Sequence, residues 1–122
     1  MSVSETLLTQ IAAQWRLLTL LTLSSITILS LTPLDHLPEV PGSDKLHHFI
    51  AYAALMFPVA LRRPPQWLWL AGGFALWSGA IELIQPYVNR YGEWLDLAAN
   101  CAGLLIGWLL ARGLARWCGE LQ

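Results

Sequence analysis

The chain has 122 residues, of which 56% are hydrophobic and only 12% charged, and its formal net charge is −1. A soluble domain usually carries about 25% charged residues, and a chain this short makes one domain at most. The apolar excess points to a membrane protein, and a near-neutral charge without a basic stripe excludes nucleic acid as a partner.

The first fourteen residues, MSVSETLLTQIAAQ, lack the positive n-region of a secretory signal, so the apolar run after them is expected to stay in the protein. That first run covers residues 15–31, and Pro33, Pro38 and Pro41 then punctuate a loop. Ser43 reads as the N-cap of the next helix. The second run, residues 46–61, ends at Arg62-Arg63-Pro64-Pro65. The third, residues 67–85, is stopped by Pro86, and the fourth, residues 95–111, runs into Arg112 and Arg116. Crossing a bilayer takes about 20 apolar residues. Runs one, three and four come close, whereas the short second run is expected to start among the headgroups. The polar faces that soluble amphipathic helices need are missing. The expected fold is all-α, a single domain over residues 1–122 forming a compact four-transmembrane-helix bundle.

Basic residues orient such a bundle. Arg16, Arg62, Arg63, Arg112 and Arg116 fall at one end of the four runs, Lys45 and Arg90 at the other. The excess places both termini in the cytoplasm. Cys101 and Cys118, 17 positions apart on one helical stretch, stand roughly 25 Å apart and cannot form a disulfide.

With this topology, polar groups from three segments meet at the outer end. Asp44, Lys45 and His48 open the second helix, and Asp44, His48 and Tyr52 share a face within about 80°. Glu82 and Gln85 close the third helix, with Ser78 a turn below Glu82, and Arg90 follows in the loop. Asp96 and Asn100 open the fourth on the face that carries Gly103 and Gly107. An ionisable residue inside a membrane is costly and points to function, so Glu82 is expected to face inward toward Arg90, Lys45 or a histidine. His48, Glu82 and Asp96 are the candidate catalytic residues, with His48 as proton acceptor. Asp44, Lys45, Tyr52, Gln85, Arg90 and Asn100 are candidate substrate-binding residues, and the two cations suit an anionic headgroup. Asp44, His48, Glu82 and Asp96 have ligand chemistry, but their spacing matches no metal motif, and neither a metal nor another cofactor is expected. No Ser-His-Asp set, P-loop, Rossmann pattern or HExxH names a reaction.

Ala99, Gly103, Gly107 and Ala111 recur every four residues, a small-residue seam that lets a helix approach closely. Packing within the bundle is the favoured use, with a homo-oligomer as the alternative. Gly72, Ala75 and Gly79 offer a similar surface on the third helix.

DKLHHFIAY (Asp44 to Tyr52), GAIELIQ (Gly79 to Gln85), Arg90 and DLAANCAG (Asp96 to Gly103) together resemble the VanZ-like family of small bacterial membrane proteins. Glu93-Trp94 departs from the small hydroxyl residue expected before Asp96. The family takes its name from a member linked to teicoplanin resistance. The resemblance implies a multi-pass protein of the bacterial cytoplasmic (inner) membrane, in a cell-envelope context, and it brings no reaction with it. Two functions stay open. One is a site that binds or modifies a lipid-linked or anionic envelope substrate; the other is a non-catalytic membrane scaffold or assembly partner of envelope machinery.

Overall fold

The computed structural model describes residues 2–37 and 42–118, so Pro38 and Pro41 of the expected loop lie outside the described residues. Five α-helices follow one another: α1 (Val3–Ala13), α2 (Trp15–Leu31), α3 (Asp44–Arg62), α4 (Trp67–Ile84) and α5 (Trp94–Trp117). Short 3-10 turns cover Leu34–His36 and Gln85–Val88, and no strand occurs among the described residues.

The starts and stops follow local chemistry. Ser43 Oγ accepts from the Leu46 amide and caps α3, as expected. The other end of α3 closes on Arg63 in the left-handed conformation, whose amide reaches the Val59 carbonyl. Asn89, also left-handed, ends the turn after α4, and the Arg90 amide returns to the Gln85 carbonyl.

α1 is the element that the apolar runs did not announce. Its signal was present in Ser2-Val3-Ser4-Glu5, a capping spacing in which Ser2 Oγ accepts from the Glu5 amide. α1 joins α2 through a break at Gln14 and is bent 74° from it. Leu8 and Ala12 hold α1 against the bundle.

The five helices do not share lipid equally. Trp67–Val88 and Trp94–Trp117 are long and apolar enough to cross a membrane, and the bent pair α1–α2 makes a third candidate span. α3, expected as the second span, is not among them. It is the central rod instead, touched by α1, α2, α4 and most extensively by α5. Tyr52, Leu55, Met56, Val59, Ala60 and Leu61 of α3 are completely enclosed. Its charged residues stand at its two ends, where Asp44 and Arg62 are exposed and Lys45 half-exposed. Outside, Leu20, Leu76, Leu83, Leu105 and Leu110 are exposed, while Ser78, Glu82, Gln85, Asp96 and Asn100 are buried. This reversal of the usual burial pattern suits a lipid solvent.

The α3–α5 contact depends on absent side chains. A Cβ on Gly103 would run into the Phe49 carbonyl, and one on Gly107 into the Ala53 carbonyl. Ala111 and Ala115 continue the stripe and are fully buried, while Ala99 is half-buried. The predicted seam therefore packs inside the protein. The matching surface expected on α4 stays open, since nothing lies within 4 Å of a Cβ at Gly72 or Gly79. At the end of the bundle away from Asp44, Trp67 and Trp108 stack with ring centroids 5.4 Å apart, and Arg112 donates to the Ala60 carbonyl.

Candidate functional site

The first turn of α3, the last turn of α4 and the first turn of α5 meet at one end of the bundle. Asn100, a turn deeper, links all three helices. Its Nδ2 donates to Ser78 Oγ of α4 at 2.6 Å, which leaves Oδ1 to accept from His48 Nδ1 of α3 at 3.0 Å. Tyr52, buried one turn further along α3, lies on the same face as His48. The Asn100–Ser78 chain orients the imidazole, with Nδ1–H on the Asn100 oxygen. Nε2 is turned toward Asp44, whose Oδ2 lies 3.5 Å away, one helical turn earlier.

The carboxylates crowd the same level. Asp96 is only 2% exposed, and its Oδ1 has no hydrogen bond, although Lys45 Nζ stands 3.5 Å from it. Lys45 makes its closer contact with Glu93 Oε2, at 3.0 Å. That hydrogen bond raises the Lys45 ammonium above the ordinary lysine range. Lys45 stands one residue ahead of the expected span and is half-exposed. Glu82, 5% exposed, accepts from the Glu93 amide through Oε2 at 2.9 Å, and its Oε1 is buried without a partner. Its electrostatic neighbours are Asp96, His48 and Asp44.

The hydrogen-bond partner of Glu82 is thus a backbone amide, that of Glu93, in place of the expected Arg90, Lys45 or histidine. Arg90 turns away from the carboxylates. Its guanidinium donates to the carbonyls of Leu29, Ser30 and Thr32 and satisfies the last turn of α2. Gln85 Nε2 donates to the Ser30 carbonyl as well, so both residues tie α2 to the α4–α5 corner. The structure therefore brings Asp44, Lys45, His48, Glu82 and Asp96 to one mouth. Tyr52 and Asn100 lie beneath it, and Gln85 and Arg90 beside it as fasteners. Glu93, in the sequence only a departure from a pattern, is the nearest partner of Lys45 through its carboxylate and the partner of Glu82 through its amide. Gly92 permits that geometry, because a Cβ there would meet the Glu82 carbonyl.

Ligand chemistry converges too. One donor atom from each of Asp44, His48 and Asp96 lies within 4.8 Å of the others. At the far end of the bundle, open grooves are lined by Trp15, Arg16 and Arg62, with Arg16 over the Trp15 ring at 5.3 Å. The grooves and the titratable cluster are separate places. Cys101 and Cys118 are both free, as their separation requires.

A family model described as VanZ/LLP1 matches residues 3–116. The chain belongs to the VanZ/LLP1 family. The match takes in α1 and α2 as well as the DKLHHFIAY, GAIELIQ and DLAANCAG segments that carried the resemblance, and every residue of the polar mouth lies inside it. Neither a curated protein nor a solved structure matches the chain.

Proposed function

We propose that this VanZ-family protein is a four-pass protein of the bacterial inner membrane, and that its outer polar mouth binds and acts on the phosphate-bearing headgroup of a lipid-linked envelope substrate. In this reading α2, α4 and α5 face lipid and α3 crosses inside them. Both termini lie in the cytoplasm, on the side of Arg16, Arg62, Arg63, Arg112 and Arg116. The observation that carries the reading is the His48–Asn100–Ser78 chain, which holds the imidazole by Nδ1 and turns Nε2 to the mouth between Asp44 and the buried acids. A helix clamp has no need of a ring nitrogen held in that direction. His48 is the proton acceptor, Asp96 and Glu82 set the field around it, and Lys45 faces the incoming phosphate.

The test is binding of purified protein to vesicles carrying a polyprenyl phosphate, against vesicles of uncharged lipid. The wild type is expected to prefer the phosphate lipid, with the preference lost in Lys45→Met and His48→Gln. Equal binding to both vesicles, or full retention in folded variants, contradicts the reading.

One set of contacts favours the scaffold reading instead. Asn100–Ser78, Gln85–Ser30 and the three carbonyl bonds of Arg90 all join different helices. If variants at His48, Glu82 and Asp96 all fail through loss of folding, with no folded protein that lacks binding, the mouth is a fastener.

A further inference from the structure

The mouth has a charge problem. Asp44, Glu82, Glu93 and Asp96 surround it, Lys45 alone among these neighbours opposes them, and Arg90 is turned to α2. A phosphate entering such a field meets repulsion. We propose that Asp44, His48 and Asp96 form a divalent-cation site, and that the cation reverses the sign of the mouth. This rests on the reading of the mouth as a ligand site, and it names what a headgroup would meet there.

Three independent features converge. The donor atoms are already within 4.8 Å of one another. Ligands about 2.1 Å from an ion at a tetrahedral angle stand about 3.4 Å apart, so closing on an ion takes side-chain shifts of an ångström or so. The His48 Nε2–Asp44 Oδ2 separation is 3.5 Å without any shift. His48 also has the outer-shell partner that metal-bound histidines have: Nδ1–H is held by a carbonyl oxygen, that of Asn100, so Nε2 is the ring nitrogen turned to the site. Finally, Asp96 is almost wholly buried, yet its Oδ1 lacks a hydrogen bond. The ammonium of Lys45, 3.5 Å from that oxygen, is a cation standing at the edge of the same site, and Glu93 offers it a place to withdraw to. One imidazole and two carboxylates suit divalent ions such as Mn²⁺ or Zn²⁺, and three protein ligands leave a coordination position open for a phosphate oxygen or water.

The spacing in sequence hides this site because a conventional motif puts its ligands close together. Here an i, i+4 pair on α3 is completed by Asp96 of α5, which the Gly103 and Gly107 contacts bring alongside.

Mn²⁺ is the probe, since hard oxygen chemistry keeps it from the thiols of Cys101 and Cys118. Full-length protein in detergent, freed of metal, is titrated with Mn²⁺ and the free ion is followed by electron paramagnetic resonance. The expected result is one bound equivalent. Asp44→Asn, at a position 63% exposed and therefore safe for folding, weakens affinity by about tenfold or more, as does Asp96→Asn. Lys45→Met tightens binding, because a competing charge has gone; a purely structural role for Lys45 does not produce that gain. No saturable binding by the wild type, or the same affinity in Asp44→Asn, overturns the proposal. Mn²⁺ binding without polyprenyl phosphate binding overturns the headgroup reading alone. Phosphate-lipid binding indifferent to Mn²⁺ overturns the cation site alone.

Discussion

Asn100 works through both ends of one amide. Its Nδ2–H satisfies Ser78 and its Oδ1 orients His48, so a leucine there leaves two buried partners unsatisfied and frees the imidazole to turn. Interhelical hydrogen bonds in membranes are worth about 0.6 kcal/mol on average and up to about 1.7. Asn100→Leu is expected to lose about 1–2 kcal/mol in detergent unfolding, at the upper end because two bonds go together. If the variant loses nothing, the chain is not holding His48. Lys45 carries a pH statement of its own. Its folded-state pKa is raised by the Glu93 hydrogen bond, so whatever the pair contributes is complete below the ordinary lysine value and disappears as pH rises through the higher folded one. Measurements from pH 6 to 9 are therefore expected to show no loss of the Lys45–Glu93 contact; a loss in that window, seen as equal stability of wild type and Glu93→Gln, contradicts the pairing.

At the level of helices, the α3–α5 seam makes the sharpest contrast. Gly103→Ala and Gly107→Ala each put a methyl against an α3 carbonyl, and the helices must separate. Overpacking typically costs about 1–3 kcal/mol, and backbone contact puts these two at the top of that range. Gly72→Ala enters open space and is expected to be neutral or to gain up to about 1 kcal/mol of helix propensity. Thermal unfolding of the three variants checks the ranking, and equal behaviour of all three contradicts the seam. Arg90 makes a second test. Its replacement by Gln is expected to raise hydrogen exchange in the last turn of α2, because the single nitrogen Nη1 of a long cationic side chain faces three carbonyls there. Unchanged exchange there in Arg90→Gln rules out the capping role.

Much of this scale could be read from residue order. α2 occupies the run given by Trp15 and Leu31, Ser43 caps α3, and the four-residue spacing of Ala99, Gly103, Gly107 and Ala111 marks a packing face. What periodicity does not carry is partner choice. Lys45, Glu93 and Asp96 are brought together by the turn at Gly92, and the pull of the α2 carbonyls on Arg90 depends on a helix sixty residues earlier. Hydropathy likewise marks α3 as a short span and says nothing about its being wrapped by neighbours, because burial by protein and burial by lipid select similar side chains. α1 is hidden for a different reason: its signal is a cap, which apolar runs do not carry.

Taken whole, the protein packs one face of α3 against its neighbours, with the acids and His48 collected at one end and the arginines Arg16, Arg62, Arg63, Arg112 and Arg116 at the other. Gly72 and Gly79 remain open on α4, while the α5 seam is used internally. α4 and α5 run past each other from the Arg63 end to the Tyr91 end. At 1.5 Å per residue, the 18 residues of α4 hold those ends roughly 27 Å apart, close to the thickness of a hydrocarbon core. That separation gives a direct test in a background with Cys101 and Cys118 replaced by alanine. Single cysteines at Tyr91 and at Arg63 are exposed to a membrane-impermeant maleimide in sealed spheroplasts. The proposed topology requires Tyr91→Cys to label at once and Arg63→Cys to label only after the membrane is opened. Labelling of both before opening, or of Arg63→Cys alone, contradicts a polar mouth at the outer surface.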